Sequence, residues 1–248
     1  MQEKLLSEIQ NAIRETISDK KIGIAFSGGV DSTLVSKICN DLGFDITLLT
    51  IGFPNSHDIL FAKDVNKHLN YKHEILEIDQ DFFDKIALKI SKKIKTDNLS
   101  WNENCIAFYH IAKLAQSLGI TIVVTANGID ELFCGYNAYR EAIEVGEESV
   151  LQLMDLKLEN ELKMMKAVNE VTSELSVKII QPLLDEQFIK VAKTIPISEK
   201  ISGKYDLIRK HIIRKLASEI GVPDISVKKR KKALQYGSMI HKALLKSK

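Results

Sequence analysis

A short glycine turn near the amino terminus holds the residues whose chemistry is easiest to read. It spells Ser27-Gly28-Gly29-Val30-Asp31-Ser32-Thr33 and follows an apolar run. Where such a turn opens a helix, unpaired backbone N–H groups and the helix dipole favour an anion. Gly28 and Gly29 let the backbone approach a phosphate closely, and the three hydroxyls add donors. Asp31 suits a Mg²⁺ ion that bridges phosphates. The turn therefore predicts a site for a nucleotide with Mg²⁺.

Three other kinds of phosphate-binding loop do not fit this turn. It lacks the Lys-Ser or Lys-Thr pair of a P-loop ATPase, the GxGxxG of a dinucleotide fold and the H-R-D set of a kinase. The motif resembles the PP-loop of ATP pyrophosphatases, which grip the β- and γ-phosphates of ATP and leave the α-phosphate open to attack. The resemblance implies an enzyme that cleaves ATP to AMP and pyrophosphate.

Four further stretches, in order along the chain, are similar to the synthetase domain of asparagine synthetase. They are residues 50–53 with Asp58 and Ala62, residues 125–136, residues 181–185, and residues 204–209 followed by 230–232. The second of these resembles the family's S-G-E-G-S-D-E-L-F-G-G-Y. The likeness runs from about residue 21 to about residue 238. It implies a ligase that adenylates a carboxylate, aspartate by default, and passes the acyl group to ammonia or another amine.

The resemblance also implies roles for single residues. Asp31 and Asp130 would share Mg²⁺ and pyrophosphate, since two carboxylates hold a cation well against phosphate oxygens. Lys232 would reach the α-phosphate as negative charge builds there, with Lys231 as the alternative. The residues assigned to nucleotide contact are Ala25, Ser27, Gly28, Gly29, Asp31, Ser32, Thr33, Ile51, Thr125 and Ala126. The basic run 228–232 is also compatible with a solvated surface or a nucleic-acid patch.

The chain departs from the family pattern at three positions near Asp130. Asn127 stands where the family has a glutamate linked to the carboxylate substrate and the incoming ammonia. A neutral amide cannot accept a proton as a general base, so the acyl substrate stays open. Ile129 and Cys134 replace a serine and a glycine, which predicts a less polar pocket wall.

The source of the amine is a separate question. Family members that hydrolyse glutamine carry an N-terminal glutaminase that begins with cysteine. In this sequence Met1 is followed by Gln2, and only about twenty residues precede the first predicted strand. We therefore expect free ammonia, ammonia from a separate glutaminase chain, or a different amine to be the nucleophile.

Two other functions stay open at the level of the sequence. PP-loop enzymes that thiolate tRNA adenylate a uridine carbonyl and take sulfur from a cysteine or an iron-sulfur centre. Cys134 lies close to Asp130 along the chain and is the cysteine placed for such a reaction. A catalytically silent nucleotide-binding subunit is the other alternative, and the amide at Asn127 is compatible with it.

The elements that position these residues follow from the spacing of apolar side chains. Strands are predicted at residues 22–26, 46–51, 73–78 and 120–125. They alternate with helices predicted at residues 4–17, 33–42, 58–69, 82–94 and 105–118. Later helices are predicted at residues 139–150, 151–168, 186–193 and 205–220. A parallel sheet with crossover helices is the economical arrangement.

The spacing therefore predicts the α/β class with a mostly helical carboxyl-terminal half, and the resemblance implies that the parallel sheet belongs to a PP-loop domain (adenine nucleotide alpha hydrolase-like, HUP). The first region would span residues 1–137 and bind ATP, and residues 138–248 would complete the synthetase domain. A single compact domain is the alternative.

The composition limits the classes of partner and the cellular compartment that we expect for this protein. The 248 residues are 45% hydrophobic and 27% charged, with a net charge of +2, so no field of one sign favours nucleic acid or an anionic membrane. The three cysteines, Cys39, Cys105 and Cys134, form no CxxC pair and predict neither a disulfide framework nor a zinc site. No segment approaches the roughly 20 apolar residues of a membrane span. We expect a cytoplasmic protein, and the sequence leaves open whether it forms a homo-oligomer.

Overall fold

One parallel sheet of five strands lies at the centre of the computed structural model, which describes residues 1–230 and 233–246. The strands are β1 (Lys21–Ala25), β2 (Asp45–Gly52), β3 (His73–Glu77), β4 (Ile122–Val124) and β5 (Lys178–Ile180). Their order across the sheet is β3-β2-β1-β4-β5, and every neighbouring pair is parallel. The predicted α/β class is confirmed.

Helices connect the strands and make up most of the carboxyl-terminal half. The first six are α1 (Gln2–Thr16), α2 (Val30–Asp41), α3 (His57–Leu69), α4 (Gln80–Ile94), α5 (Leu99–Ser117) and α6 (Ile129–Leu132). The others in the described residues are α7 (Ala138–Val145), α8 (Glu147–Thr172), α9 (Glu186–Thr194), α10 (His211–Glu219), α11 (Asp224–Val227), α12 (Leu234–Gly237) and α13 (Ile240–Lys246). Short 3₁₀ helices cover Ser173–Leu175, Pro182–Leu184 and Ile197–Glu199.

The burial of the strands follows their position in the sheet. Strands β2 and β4 are buried along nearly their whole length, because helices cover both faces of a parallel sheet and apolar runs can fill them. Strand β3 lies at one edge and is only half-buried. At the other edge, the Asn169 side chain of α8 bonds both backbone groups of Ile179 in β5, at 3.0 and 3.1 Å. This amide satisfies an otherwise open strand edge.

Two sequence predictions about elements are wrong, and one strand was not predicted. A strand at β5 was not expected, because three residues are too few to show a period. The predicted break at residues 150–151 lies instead at Gly146, whose φ of 143° ends α7. The helix predicted over residues 205–220 begins only at His211, because Arg209 and Lys210 have left-handed φ values of 52° and 55°.

The strand order creates a crevice at the carboxyl ends of β1 and β4. Strands β1 and β4 are neighbours, and the chain passes from β1 to β2 on one side but from β4 to β5 on the other, so the two connections run in opposite directions. Ligands of open parallel sheets bind at such a switch point, outside the carboxyl ends of the strands. The glycine turn after β1 and residues 125–136 after β4 both begin there. In the part of the chain that is described, we find no helix with the length and apolar character needed to cross a membrane.

Candidate functional site

The glycine turn after β1 has the backbone that its sequence predicts. Gly28 has a φ of +75°, and a Cβ atom there would lie 3.1 Å from the side chains of Phe61 and Val65. Both the conformation and the lack of space therefore require glycine. Gly29 is the N-cap of α2 with φ −65° and ψ 158°. The first N–H groups of α2 have no partner within the helix and are available to an anion.

Hydroxyl groups hold this turn in shape. Ser32 Oγ accepts a hydrogen bond from Ser27 N at 3.3 Å, and Thr33 Oγ1 donates to Gly29 O at 2.8 Å. Ser226 of α11 donates to Gly28 O at 2.5 Å and lies 3.0 Å from Thr33 Oγ1. Thr33 and Ser226 are fully buried. These two buried hydroxyls therefore stabilise the conformation of the turn through its backbone carbonyl groups.

Asp31, Asp130 and Lys210 meet at the mouth of the turn. The Nζ atom of Lys210 lies 2.5 Å from Asp31 Oδ2 and 2.6 Å from Asp130 Oδ1. Lys210 is 1% exposed, whereas each aspartate keeps 20% of its side chain accessible. Burial acts to lower the pKa of Lys210, but the charges of Asp130 and Asp31 outweigh burial, and the pKa is raised above its ordinary value. The ammonium group therefore stays protonated.

A turn organised by Asp206 places Lys210 there. Asp206 Oδ1 accepts hydrogen bonds from Ile208 N at 3.0 Å and Arg209 N at 2.8 Å, and Oδ2 lies 2.6 Å from His211 Nε2. Burial acts to raise the pKa of Asp206, but hydrogen bonds from the N–H groups of Arg209 and Ser202 lower it to about 2. The ionised carboxylate thus stabilises the left-handed pair that ends in Lys210.

Glu131, next to Asp130, has a structural role. Its Oε2 accepts a hydrogen bond from Gly128 N at 3.0 Å, and its Oε1 accepts one from the hydroxyl of Tyr136. The hydroxyl of Tyr139 donates to Glu131 O at 2.6 Å. These contacts fasten the start of α6 and thereby set the direction of Asp130.

One cavity of about 580 Å³ connects these groups. The predicted site residues that line it are Ala25, Ser27, Gly29, Asp31, Ser32, Ile51, Thr125, Ala126 and Asp130. Gly28 and Thr33 belong to the turn but do not line the cavity. Lys232, predicted as catalytic, and its alternative Lys231 lie outside the described residues, while Lys229 and Arg230 line the cavity. The structure thus brings nine of the predicted residues together around one space.

The sequence analysis did not identify three charged residues that line the cavity: Lys210, Arg214 and Glu161. Lys210 follows directly the stretch that resembles K-x-x-L-R, and that resemblance is the signal that could have found it. Arg214, one turn later in α10, is buried and lines the same cavity. Glu161 lies in α8, and no motif surrounds it in the sequence.

Glu161 and Asn127 form a second polar pair on the cavity wall. Asn127 Nδ2 donates to Glu161 Oε1 at 2.6 Å, and Glu161 is 5% exposed. Lys157, one turn earlier in α8, has its ammonium group 5.3 Å from the centre of the Tyr136 ring. All of these side chains line the cavity. The cavity wall therefore includes a buried carboxylate and a cation from the same helix.

The residues at the glycine turn fit a Mg²⁺ ion. Magnesium usually takes one or two carboxylates from the protein, and phosphate oxygens and water complete its octahedron. Asp31 and Asp130 supply two carboxylates against one ammonium group, and Asp31 Oδ1 is buried with no hydrogen-bond partner among the described residues. No group of three or more His, Cys, Asp or Glu side chains in residues 1–230 and 233–246 could hold a metal. The donor set therefore suits a cation that arrives with phosphates.

The three cysteines are poor candidates for sulfur chemistry. Cys39, Cys105 and Cys134 are buried and free. Burial raises the pKa of each thiol to about 12. A thiolate is the reactive form of cysteine, so these thiols are inert near neutral pH.

Comparison with known proteins gives a consistent family. A family model described as asparagine synthase matches residues 4–172 and 145–247. A protein of Methanocaldococcus jannaschii that carries the name of a glutamine-hydrolyzing asparagine synthetase is 30% identical over 257 residues, which cover 91% of this chain and 47% of that protein. Asparagine synthetase B, named as glutamine-hydrolyzing, of Escherichia coli is 27% identical over 231 residues, 84% of this chain and 41% of its own. The chain thus spans about half the length of these relatives or less.

A solved structure supports the fold alone. The structure of NMN synthetase from Francisella tularensis aligns with 95% of this chain and 75% of its own, at a TM-score of 0.50 and 16% sequence identity. An identity this low carries no information about the substrate.

Proposed function

This chain belongs to the asparagine synthase family, and we propose that it is an ATP-dependent synthetase that joins a carboxylate to an amine. The carboxylate attacks the α-phosphorus of ATP to form an acyl-adenylate and pyrophosphate. The amine then displaces AMP and leaves an amide. The observation that carries this proposal is the meeting of Asp31, Asp130 and Lys210 at the mouth of the glycine turn, with open cavity beyond them.

The charges around the turn are suited to pyrophosphate. The backbone N–H groups at the start of α2 would bind the β- and γ-phosphates. Lys210 and Arg214 are buried cations that would neutralise negative charge on the departing pyrophosphate. Asp31 and Asp130 would hold Mg²⁺, which when bound supplies further positive charge to the phosphates. Lys232 stays the candidate for the α-phosphate on resemblance.

The apolar part of the cavity would receive the adenosine. Ala25 and Ile51 lie near the ends of adjacent strands, and Leu49, which is opposite Ala25 in the sheet, also lines the cavity. Thr125 and Ala126, which directly follow β4, line the same cavity. A nucleoside bound here would lie across the carboxyl ends of the strands and direct its phosphates towards Gly29.

Aspartate and ammonia are the default substrates by family. The names of the relatives describe glutamine hydrolysis, so we propose that ammonia, free or released by a glutaminase, is the amine. Asn127 replaces the family's glutamate, and for that reason a panel of other carboxylates belongs in the first experiment.

The experiment is ATP–pyrophosphate exchange with Mg²⁺ and the panel, beginning with aspartate. We expect one carboxylate to support exchange. Asp31→Ala should abolish exchange, because it removes a proposed Mg²⁺ ligand. Asp41→Ala is the matched control, since Asp41 lies exposed at the other end of the same helix and pairs with Lys37.

The two alternative functions give different results in the same assay. Exchange that occurs only with tRNA would support a sulfurtransferase, and nucleotide binding without exchange for any carboxylate would support a silent subunit. Either result contradicts the proposal. Because the thiol of Cys134 is buried and its pKa is about 12, Cys134→Ala should keep exchange with the active carboxylate.

A further inference from the structure

Part of the cavity wall comes from the last segment of the chain. Ala233, Leu234 and Gln235, at the start of α12, line the same space as Ala25 and Ile51. We call these three residues the α12 wall. The side-chain amide of Gln235 has no hydrogen-bond partner among the described residues, and it offers both a donor and an acceptor. The phosphate chemistry proposed above does not use this wall.

Contacts with the end of β2 fix the place of the α12 wall. Phe53, the residue after β2, donates its backbone N–H to Ser238 O at 3.0 Å. Ser238 N donates in turn to Leu234 O at 2.9 Å, so Leu234 lies one helical turn away. Gly237 packs so closely on Asp58 that a Cβ atom there would lie 1.9 Å from Asp58 Oδ1. The α12 wall therefore lies beside the carboxyl end of β2, where the adenosine would bind.

A buried pair anchors the segment that follows the α12 wall. Glu103 of α5 is 2% exposed, and its Oε1 lies 2.5 Å from Nδ1 of His241 in α13. The Tyr236 ring of α12 packs against the His241 ring, with the two centroids 4.7 Å apart. Helices α12 and α13 have only four and seven residues, and isolated helices of such length are not stable in water. Their position therefore depends on tertiary contacts such as this pair.

We propose that Leu234 and Gln235 bind the nucleobase of ATP, and that Glu103 and His241 are positioning residues that hold the α12 wall against it. This assignment rests on the proposed ATP site. Leu234 would make apolar contact with the purine ring. The amide of Gln235 would accept a hydrogen bond from the amino group of adenine and donate one to a ring nitrogen, the pairing that a glutamine makes with this base.

The burial of Glu103 explains why its partner matters. A carboxylate that loses its hydrogen-bond donor in a place that water barely reaches is strongly unfavourable. Without His241, the carboxylate would therefore draw water into the contact between α5 and α13. The loosened α13 would no longer hold α12 beside β2, and the nucleobase would lose one wall of its site.

Equilibrium binding to the full-length chain tests the inference without the need for a reaction. Two probes are used with Mg²⁺: ATP, which carries the base, and inorganic tripolyphosphate, which carries phosphates alone. We expect His241→Ala to weaken the binding of ATP by about tenfold or more, and to change the affinity for tripolyphosphate by less than about twofold. The contrast between the probes separates loss of the α12 wall from damage to the whole site.

Lys242→Ala is the matched control, because Lys242 is the next residue of α13 and is exposed. It should bind both probes as the unmodified chain does. His241→Asn is the rescue variant, since its amide nitrogen can take the place of Nδ1 and donate to Glu103. Its affinity for ATP should stay within about threefold of the unmodified chain. Thermal unfolding checks that each variant is folded.

Gln235→Ala tests the α12 wall directly and leaves the anchoring pair intact. Its affinity for ATP should fall about three- to tenfold, the range for one hydrogen bond, and its affinity for tripolyphosphate should not change. This variant decides the matter if His241→Ala does not fold.

Unchanged affinity for ATP in either folded variant would overturn the inference. Equal weakening of both probes would also overturn it, because the residues would then support the site as a whole. If the unmodified chain binds ATP and the variants respond as expected, but no carboxylate supports exchange, the proposed function fails and the nucleobase assignment stands. An unmodified chain that does not bind ATP would defeat both.

Discussion

Lys210 brings a positive charge into a part of the molecule that water does not reach. The removal of an ammonium group from water costs several kcal/mol, and two carboxylates offset that cost. Burial of this ammonium group is therefore favourable only while both carboxylates are present. At the scale of the residue, this group therefore links the stability of the fold to the electrostatics of the proposed phosphate site.

Replacement of Lys210 by methionine should harm both properties. Lys210→Met leaves Asp31 and Asp130 close together without a cation, and we expect a loss of about 3–5 kcal/mol in the free energy of unfolding. The rate of ATP–pyrophosphate exchange should fall at least 100-fold, which is about the effect of losing one hydrogen-bond donor to the transition state. Added Mg²⁺ should raise the melting temperature of the variant more than that of the unmodified chain, because it can replace the missing charge.

The control for this change is Lys215→Met. Lys215 lies in α10, shortly after Lys210, is exposed, and is 3.2 Å from Glu199. Exposed ion pairs contribute little, so its stability should change by less than about 1 kcal/mol. If Lys210→Met were as active as Lys215→Met, the assignment of Lys210 to the site would be wrong.

At the scale of the element, the turn before α10 decides where that helix begins. Two consecutive non-glycine residues in the left-handed region cost about 1–2 kcal/mol each. Asp206 offsets this cost through hydrogen bonds to the backbone of the turn. The helix period of residues 205–210 continues into α10, but these contacts outweigh helix propensity.

Removal of the Asp206 carboxylate should release the turn. We expect Asp206→Ala to lose about 3 kcal/mol of stability, as when several hydrogen bonds to a charged group are removed. Exchange should also weaken, because Lys210 loses its position. Asp97→Ala, in an exposed loop, is the control for denaturant unfolding. An Asp206→Ala variant with full exchange would show that the turn does not position Lys210.

The contact between α4 and α5 predicts a dependence of stability on pH. His110 of α5 is fully buried against Phe82 and Phe83 of α4, and neither ring nitrogen has a partner among the described residues. Burial, with the nearby charge of Lys113, lowers the pKa of His110 to about 4. The folded state therefore disfavours the protonated ring.

The direction of this pH dependence follows from the linkage between proton binding and folding. The folded pKa lies below the unfolded value of about 6.5, so the protein keeps its full stability above pH 6.5 and loses it as the pH falls towards 4. The free energy of unfolding, measured with urea at pH 7.5 and at pH 4.5, should fall less in His110→Leu than in the unmodified chain. The difference should be up to about 3 kcal/mol. Burial lowers the pKa of His73 to about 4 as well, so some acid sensitivity will remain. The exposed His68, changed to glutamine, is the control, and an equal acid response in both variants would contradict the assignment.

At the scale of the whole molecule, the carboxyl-terminal half returns to the site at several points. Strand β5 pairs with β4, Lys210 joins the two aspartates, and Ser226 bonds the glycine turn. A division at residue 137 stays a prediction. These contacts favour a single cooperative unit.

Expression of residues 1–137 alone tests this point. We expect no cooperative unfolding transition, because β4 would lose its neighbour β5 and two carboxylates would lose their ammonium partner. Circular dichroism during heating measures it, with the full chain as the reference. A fragment that melts cooperatively and binds ATP would establish two separate domains.

The sequence by itself determined the α/β class, the parallel sheet and the PP-loop. These features depend on local signals: apolar spacing along each element, and a glycine turn whose backbone requirements show in its residue types. The motifs of residues 125–136 and 181–185 also carried the family, because their order along the chain is itself information.

Only the tertiary structure decided which groups complete the site. Lys210 is 179 residues from Asp31, and Glu161 is 34 residues from Asn127. No local pattern records a contact over such separations, because it depends on how the sheet and α8 bring distant segments to one crevice. The left-handed turn at Arg209 and Lys210 is a further case, since side-chain hydrogen bonds there outweigh the helix period that the sequence shows.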